Sequence, residues 1–131
     1  MLSKGPSKKE LGDAGEARAA AHLLRAGLTL VARNYRTPGR GGGEIDLIMR
    51  DQDGTLVFVE VRQRASNRHG GAAASISATK RQRIVFAARH YLMRLPTWPP
   101  CRFDVVCIQG NSQQPGAEPT VEWLRAAFDA S

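Results

Sequence analysis

The stretch GGGEIDLIMRDQDGTLVFVEVRQR, residues 41–64, decides the reading of this chain. Its two halves, Glu44-Ile45-Asp46-Leu47-Ile48-Met49 and Leu56-Val57-Phe58-Val59-Glu60-Val61-Arg62, are rich in β-branched and large apolar residues, with the turn cluster Asp51-Gln52-Asp53-Gly54 between them. That pattern predicts a β-hairpin. A three-residue connection, Gln52-Asp53-Gly54, suits a type I turn closed by a left-handed residue, because glycine takes positive φ without steric cost. With Asp51 paired to Thr55, Asp46 falls opposite Glu60 on one face, and Arg62 shares that face. A two-residue loop would separate the two carboxylates onto opposite faces.

Carboxylates placed side by side in a covered hairpin repel each other and are costly to desolvate, so they need a cation or a raised pKa. A hard divalent ion such as Mg²⁺ meets that need with oxygen ligands and keeps waters that can serve as nucleophiles. A solvated acidic pair on an open hairpin face would carry the same residues. The apolar character of both strands favours the covered hairpin.

Outward from the hairpin, Ser7-Lys8-Lys9-Glu10 forms a capping box and Gly27 a stop, so a helix is expected from about Lys8 to Ala26. Ala17, Ala20, Ala21 and Leu24, with Leu23 beside them, mark its expected buried stripe, and Glu16 sits at the edge of that stripe. Gly12 and Gly15 weaken the helix and so suggest close approach of another backbone or a ligand. Leu28 to Tyr35 reads as an edge strand. The loop Arg36-Thr37-Pro38-Gly39-Arg40-Gly41-Gly42-Gly43 follows it as a flexible basic entrance suited to phosphates, although a solvated linker has the same composition. It lacks the Gly-Lys-Ser/Thr ending of a P-loop and leads into a strand.

Residues 65–75 read as a mobile loop carrying His69, with no second ligand at zinc spacing. A second helix should start near Ser77 and end before Pro96, burying Ile84, Ala87, Ala88, Tyr91, Leu92 and Leu95. Its basic residues, including Lys80, Arg81 and Arg83, form a candidate nucleic-acid surface, and Lys80 in the first turn is placed to approach the acidic pair. Cys101 to Ile108 reads as the last core strand, with Cys101 and Cys107 reduced and packed in the core, since six residues at ~3.3 Å each hold them too far apart to bridge. Residues 110–119 have a loop composition. Val121 to Phe128 is expected as a short strand turn or helical cap, plugging the core with Trp123, Leu124 and Phe128.

The order is α, β, β, β, α, β: an α/β chain with a mixed central sheet flanked by helices. Its 131 residues suit a single domain, with a flexible N-terminus at 1–6. Nineteen Lys and Arg against twelve Asp and Glu give a net charge of +7, which favours a polyanionic partner, nucleic acid before an anionic membrane. No apolar run approaches a bilayer span and residues 1–6 lack a signal-peptide core, so the expected setting is cytoplasmic with no membrane partner. A homodimer is one arrangement this reading allows.

Taken together, Glu16, Gly43-Glu44-Ile45-Asp46 and Val59-Glu60-Val61-Arg62-Gln63-Arg64 resemble the PD-(D/E)XK signature of restriction-endonuclease-like nucleases. More narrowly, GEARAA at 15–20, GGGEIDLI, FVEVRQR, HGGAAASI and CRFDVV resemble the YraN family of bacterial proteins, over about Leu11 to Phe128. The resemblance implies a nuclease core similar to that of archaeal Holliday-junction resolvases and leads to the expectation of an Mg²⁺- or Mn²⁺-dependent endonuclease acting on nucleic acid, DNA before RNA, with branched or repair intermediates as substrates. It makes Glu16 the helix-borne acid, Asp46 and Glu60 metal ligands, the Val61 carbonyl a further ligand, and Arg62 the occupant of the lysine position. Arg36, Arg40, Lys80, Arg81 and Arg83 are the expected nucleic-acid contacts. Arginine departs from the pattern, because it holds its proton and cannot act as a base. A binding module that keeps the nuclease fold is therefore the alternative.

Overall fold

Gly54 adopts φ +91° and its N–H donates to the Asp51 carbonyl at 3.0 Å, while the Asp51 N–H donates to the Thr55 carbonyl at 2.9 Å. The hairpin thus has the three-residue connection that its sequence predicts, and β2 (Glu44–Arg50) pairs with β3 (Leu56–Arg64) in the expected register, Leu47 opposite Val59 and Arg50 opposite Leu56. In this computed structural model residues 8–64, 76–110, 116 and 118–130 are described, the backbone alone for 8–11. The expected N-terminal segment 1–6, the loop 65–75 with His69, and most of the loop 110–119 lie outside the described residues.

Around the hairpin stand α1 (Lys8–Arg25), β1 (Thr29–Arg36), α2 (Ala78–Leu92), β4 (Cys101–Gln109) and β5 (Thr120–Phe128). The sheet runs β1-β2-β3-β4-β5, antiparallel except for the parallel pair β3/β4 that the α2 crossover joins. Period-two alternation divides the hairpin's apolar residues between two layers. Leu47, Met49, Val57 and Val59 pack with Ala19, Ala20 and Leu23 of α1, whereas Ile48, Leu56 and Phe58 pack with Ile84, Ala87, Ala88 and Leu92 of α2. The hairpin is therefore covered on both faces.

Three expectations need correction. The buried stripe of α1 is Ala19, Ala20 and Leu23; Ala17 is exposed and Leu24 is 48% exposed. In an alanine-rich helix several phases satisfy the 3.6-residue period, and the observed one places Glu16 at i, i+3, i+4 and i+7 with the buried residues, on the inner face rather than its edge. Cys101 is exposed at the start of β4, so only Cys107 is a core cysteine, and both are free thiols. Val121 to Phe128 is neither turn nor cap but most of β5, a full strand on β4.

What makes β5 a strand is a carboxylate that the sequence reading passed over. Asp104 is wholly buried and accepts from Arg102 Nε at 3.1 and 3.2 Å, from Trp123 Nε1 at 2.9 Å and from the Ala126 N–H at 2.9 Å. The last bond lies at a register shift between Phe103 and Val105, where Ala126 takes φ 49°. Arg102 also reaches Asp51 at 2.9 Å, tying β4 to the hairpin turn. Phe128 then stacks on Phe103 at 5.0 Å between centroids.

Asp104→Ala should cost about 3 kcal/mol in chemical denaturation, because it removes the buried acceptor shared by Arg102, the Trp123 indole N–H and the Ala126 N–H and leaves Arg102 with Asp51 alone. A loss below ~1 kcal/mol would show that β5 is held by its apolar contacts alone.

Candidate acidic site and its basic surround

The β2/β3 ladder ends one step short of the acidic pair. Its last rung is Leu47 opposite Val59, and carrying the register on would set Asp46 opposite Glu60. There the Val61 N–H donates to Asp46 Oδ2 at 2.8 Å. Ile45 and Leu47, two apart and so expected on one face, belong to opposite core layers, which means that β2 rolls about Asp46. The neighbouring strand rolls at the same level. Arg33 pairs with Leu47 and Tyr35 with Ile45, and Asn34 between them has φ 52°. Asparagine tolerates this left-handed conformation better than most residues, which is the signal that could have marked the position.

The roll and the split bring the acids together. The Asp46 and Glu60 carboxyls lie close enough for each to shift the other's pKa. The Glu60 side chain is 4% exposed, with Lys80 Nζ 3.6 Å from Oε1 and, among the described residues, no hydrogen-bond partner on the buried Oε2. Burial, and then the Asp46 charge, push the Glu60 carboxyl up to about 8, against the opposing pull of Lys80 and Arg62. Burial also raises Asp46, while the Val61 N–H and Lys80 hold it down. Glu16 reaches in from α1 on the other layer: burial and the Asp46 charge raise it, and Arg33 at 3.9 Å and the Asn34 side chain oppose them. Its Oε1 is buried without a hydrogen-bond partner.

The charges of Glu16 and Asp46 thus act on each other, as do those of Asp46 and Glu60 and those of Glu60 and Arg62, and Val61 is tied to Asp46 through its N–H. Among the described residues, however, no three His, Cys, Asp or Glu side chains converge as a metal cage. The donor set instead fits an ion that keeps much of its water, as Mg²⁺ does. The neighbouring Asp46 and Glu60 carboxyls, and the two buried carboxylate oxygens of Glu16 and Glu60 that lack a hydrogen-bond partner among the described residues, are the features that favour a cation here.

The basic residues divide around α2. Lys80 and Arg83 join Arg36 in a cavity of about 420 Å³ that Thr37, Gly39, Gly42, Gly43 and Glu44 complete. Arg36 Nε lies 3.4 Å from Glu44. Arg81 lines a different groove on the far side of α2, and Arg40 is exposed and lines neither. The glycine-rich loop, expected as a flexible basic entrance, is closed at its base. The Thr37 N–H donates to the Gly43 carbonyl at 3.0 Å and the Gly43 N–H to Thr37 Oγ1 at 2.8 Å, with Thr37 buried. A Cβ at Gly43 would overlap the Arg83 carbonyl, so this glycine lets β2 begin against the α2 backbone. Close approach at Gly15 is by the Gln63 side chain of β3, whereas a Cβ at Gly12 would meet no other element within 4 Å among the described residues.

The fold and site define an α/β protein with a mixed five-stranded sheet between two helices and an acidic pair, buried Glu60 and half-buried Asp46, where its central hairpin opens. Residues 15–108 match Uncharacterised protein family UPF0102, and the chain belongs to that family, which is the YraN family its motifs resemble. It is 68% identical over 119 residues to a UPF0102 protein of Paracidovorax citrulli (strain AAC00-1), covering 91% of this chain and 82% of the relative. It is 63% identical over 133 residues to one of Polaromonas naphthalenivorans (strain CJ2), covering 99% and 86%. Among solved structures it is similar to a repair endonuclease from Pyrococcus abyssi, with 18% identity and a TM-score of 0.42, over 86% of this chain and 42% of that one. A likeness of that degree leaves the activity to be argued from the side chains.

The raised carboxyls set a pH dependence. Between the ordinary value of 4.5 and about 8, folded Glu60 holds a proton that the unfolded chain releases. Stability contributed by that proton is therefore lost as pH rises through this window. The melting temperature of metal-free protein should fall from pH 5 to pH 8, and Glu60→Gln should flatten the slope. An equal slope in both proteins would assign the pH dependence to other groups.

Proposed function

We propose that this protein is a divalent-metal-dependent phosphodiesterase acting on DNA, with branched or repair intermediates as its substrate class. The observation that carries the reading is the Asp46–Glu60 pair, in which Lys80 faces Glu60 Oε1 while Oε2 has no hydrogen-bond partner among the described residues, beside a basic, glycine-walled cavity. Asp46 and Glu60 would hold Mg²⁺ or Mn²⁺, with the Val61 carbonyl and, through water, Glu16 in support. When bound, the ion supplies charge stabilisation at the phosphoryl oxygens and acidifies water.

The chain's own residues do the rest. Arg36, Lys80 and Arg83 bind phosphates along the strand, and burial of the acids excludes bulk water and strengthens each charge interaction. Arg62 offsets the negative charge but keeps its proton. Lys80 is the amine beside the acidic pair, so it provides from α2 the compact cation that β3 lacks at position 62. Its ammonium orients the attacking water and steadies the charge that develops on phosphorus.

Cleavage of linear, flapped and four-way DNA in Mn²⁺ tests this reading. Asp46→Asn should abolish cleavage, Lys80→Met should slow it by roughly a hundredfold, and Arg62→Lys should preserve or raise it. Undiminished cleavage by Asp46→Asn would remove the mechanism. A second reading, a nucleic-acid-binding module, is favoured by Arg62 and by the absence of a three-ligand group among the described residues. It requires DNA affinity in EDTA with no turnover by the wild type.

Phosphate neutralisation also fixes the salt dependence of binding. Removing the charges of Arg36 and Arg83 together should reduce the slope of log K against log salt by about one for each phosphate no longer neutralised. An unchanged slope would place the phosphates outside this cavity.

A further inference from the structure

Helix α2 has a face that neither the core nor the acidic pair uses. Its buried stripe is complete with Ile84, Val85, Ala87, Ala88 and Leu92, yet Phe86 is 53% exposed and Met93 is 75% exposed. Seven residues apart, the two lie two turns along one side of the helix. Scattered apolar residues on a surface are ordinary, but the surroundings of this phenyl ring are not. Phe86 lines a groove of about 720 Å³ between α2 and the end of β5, with Arg81 and Arg89 on the helix and Phe128 opposite. Asp129 is the one acidic residue in the lining. Arg83 and Arg89, three residues before and after Phe86, adjoin it on the helix surface.

We infer that the outer face of α2 binds unpaired nucleotides, with Phe86 as a stacking platform for a base and Arg81 and Arg89 as clamps for the flanking phosphates. An aromatic ring set among guanidinium groups is the combination that holds single strands with little regard for sequence, since every base presents a flat apolar face. The charge excludes the simplest alternative. A two-fold contact between copies through this face would set Arg81, Arg83 and Arg89 against their own equivalents. Continuity with the acidic site favours a nucleic acid over an acidic peptide. Lys80, at the acidic pair, precedes Phe86 by six residues on the same helix, about 9 Å along its axis.

The inference rests on the reading of the acidic pair as a nucleic-acid site and narrows its substrate class to DNA with an open or single-stranded tract. Helix α2 then lies between two binding surfaces, the glycine-walled cavity for phosphates of one segment and the Phe86 groove for the unpaired bases of another.

The test is fluorescence anisotropy of the full chain in EDTA, with labelled oligo-dT, a forked duplex and a blunt duplex. The single strand and the fork should bind more tightly than the blunt duplex. Phe86→Ala should weaken both by roughly five- to a hundredfold while leaving blunt-duplex affinity unchanged, and Phe86→Trp should retain binding with its fluorescence quenched by oligo-dT. Because Phe86 faces solvent, the circular dichroism of both variants should match the wild type. Equal losses on all three DNAs, or no loss on any, would overturn the inference. So would polyglutamate that competes as well as oligo-dT, or self-association that Phe86→Ala abolishes. Absence of Mn²⁺-dependent cleavage with the Phe86 effect intact would sink the nuclease reading alone, so the two failures are distinguishable.

Discussion

The hydrogen bond from the Val61 N–H to Asp46 Oδ2, 2.8 Å long, is the constraint on which the rest of the site depends. In a regular hairpin the next donor along β3 would be satisfied by a main-chain carbonyl of β2. Here a side chain takes that place, the ladder stops at Leu47 and Val59, and the strands part with a carboxylate in the gap. The roll of β2 at Asp46 and the left-handed Asn34 on β1 follow at the same level of the sheet, and they turn Asn34 towards Glu16. A local exchange of one hydrogen-bond acceptor thus draws residues from both layers towards a single point.

Helix α2 does the corresponding work on the other side. Ser77 caps it by accepting from the Lys80 N–H at 3.1 Å, which fixes the first turn in which Lys80 lies. Gly43 allows the same helix to approach the start of β2 closely enough for Arg83 and Lys80 to share a cavity with the glycine-rich loop. Neither contact is strong alone. Together they set an ammonium group beside two carboxyls and leave the arginines one turn further out.

Much of this was legible because the governing rules are local. Gly54 dictated the turn length, turn length dictated parity, and parity put Asp46 beside Glu60 before any long-range packing was considered. Ser77 and Gly27 marked helix ends for similar reasons. What escaped depended on partners far away in sequence. The Asp104 network joins residues from the hairpin turn, β4 and β5, so nothing around Asp104 announces it. β5 itself carries an alanine pair, Ala126-Ala127, that reads as helical until Asp104 claims the Ala126 N–H. The phase of α1 was misread because alanine fits either side of the stripe, and Thr37 was passed over because its partner, Gly43, lies across a loop. Arg81 and Arg83 looked equivalent on a basic helix, but two residues turn a side chain through about 200°, and they serve different cavities.

The two kinds of buried acid in this molecule separate structure from function on physical grounds. Asp104 is inaccessible and has every lone pair engaged, by a guanidinium, an indole N–H and a backbone N–H. Such a carboxylate holds strands together and has nothing left to offer a ligand. Glu60 is buried beside a half-buried Asp46, both are pushed towards protonation, and Glu60 retains an oxygen that nothing among the described residues satisfies. Replacing Glu60 by an apolar residue of similar volume would relieve repulsion and desolvation together, whereas Asp46 is held by the Val61 N–H, so it is Glu60 that lowers the stability of the isolated fold. At the open end of the central hairpin, Lys80 and Arg62 offset part of the pair's negative charge, and the raised Glu60 carboxyl holds a proton below about pH 8, so the pair can exchange that proton for another cation where the Asp104 network cannot.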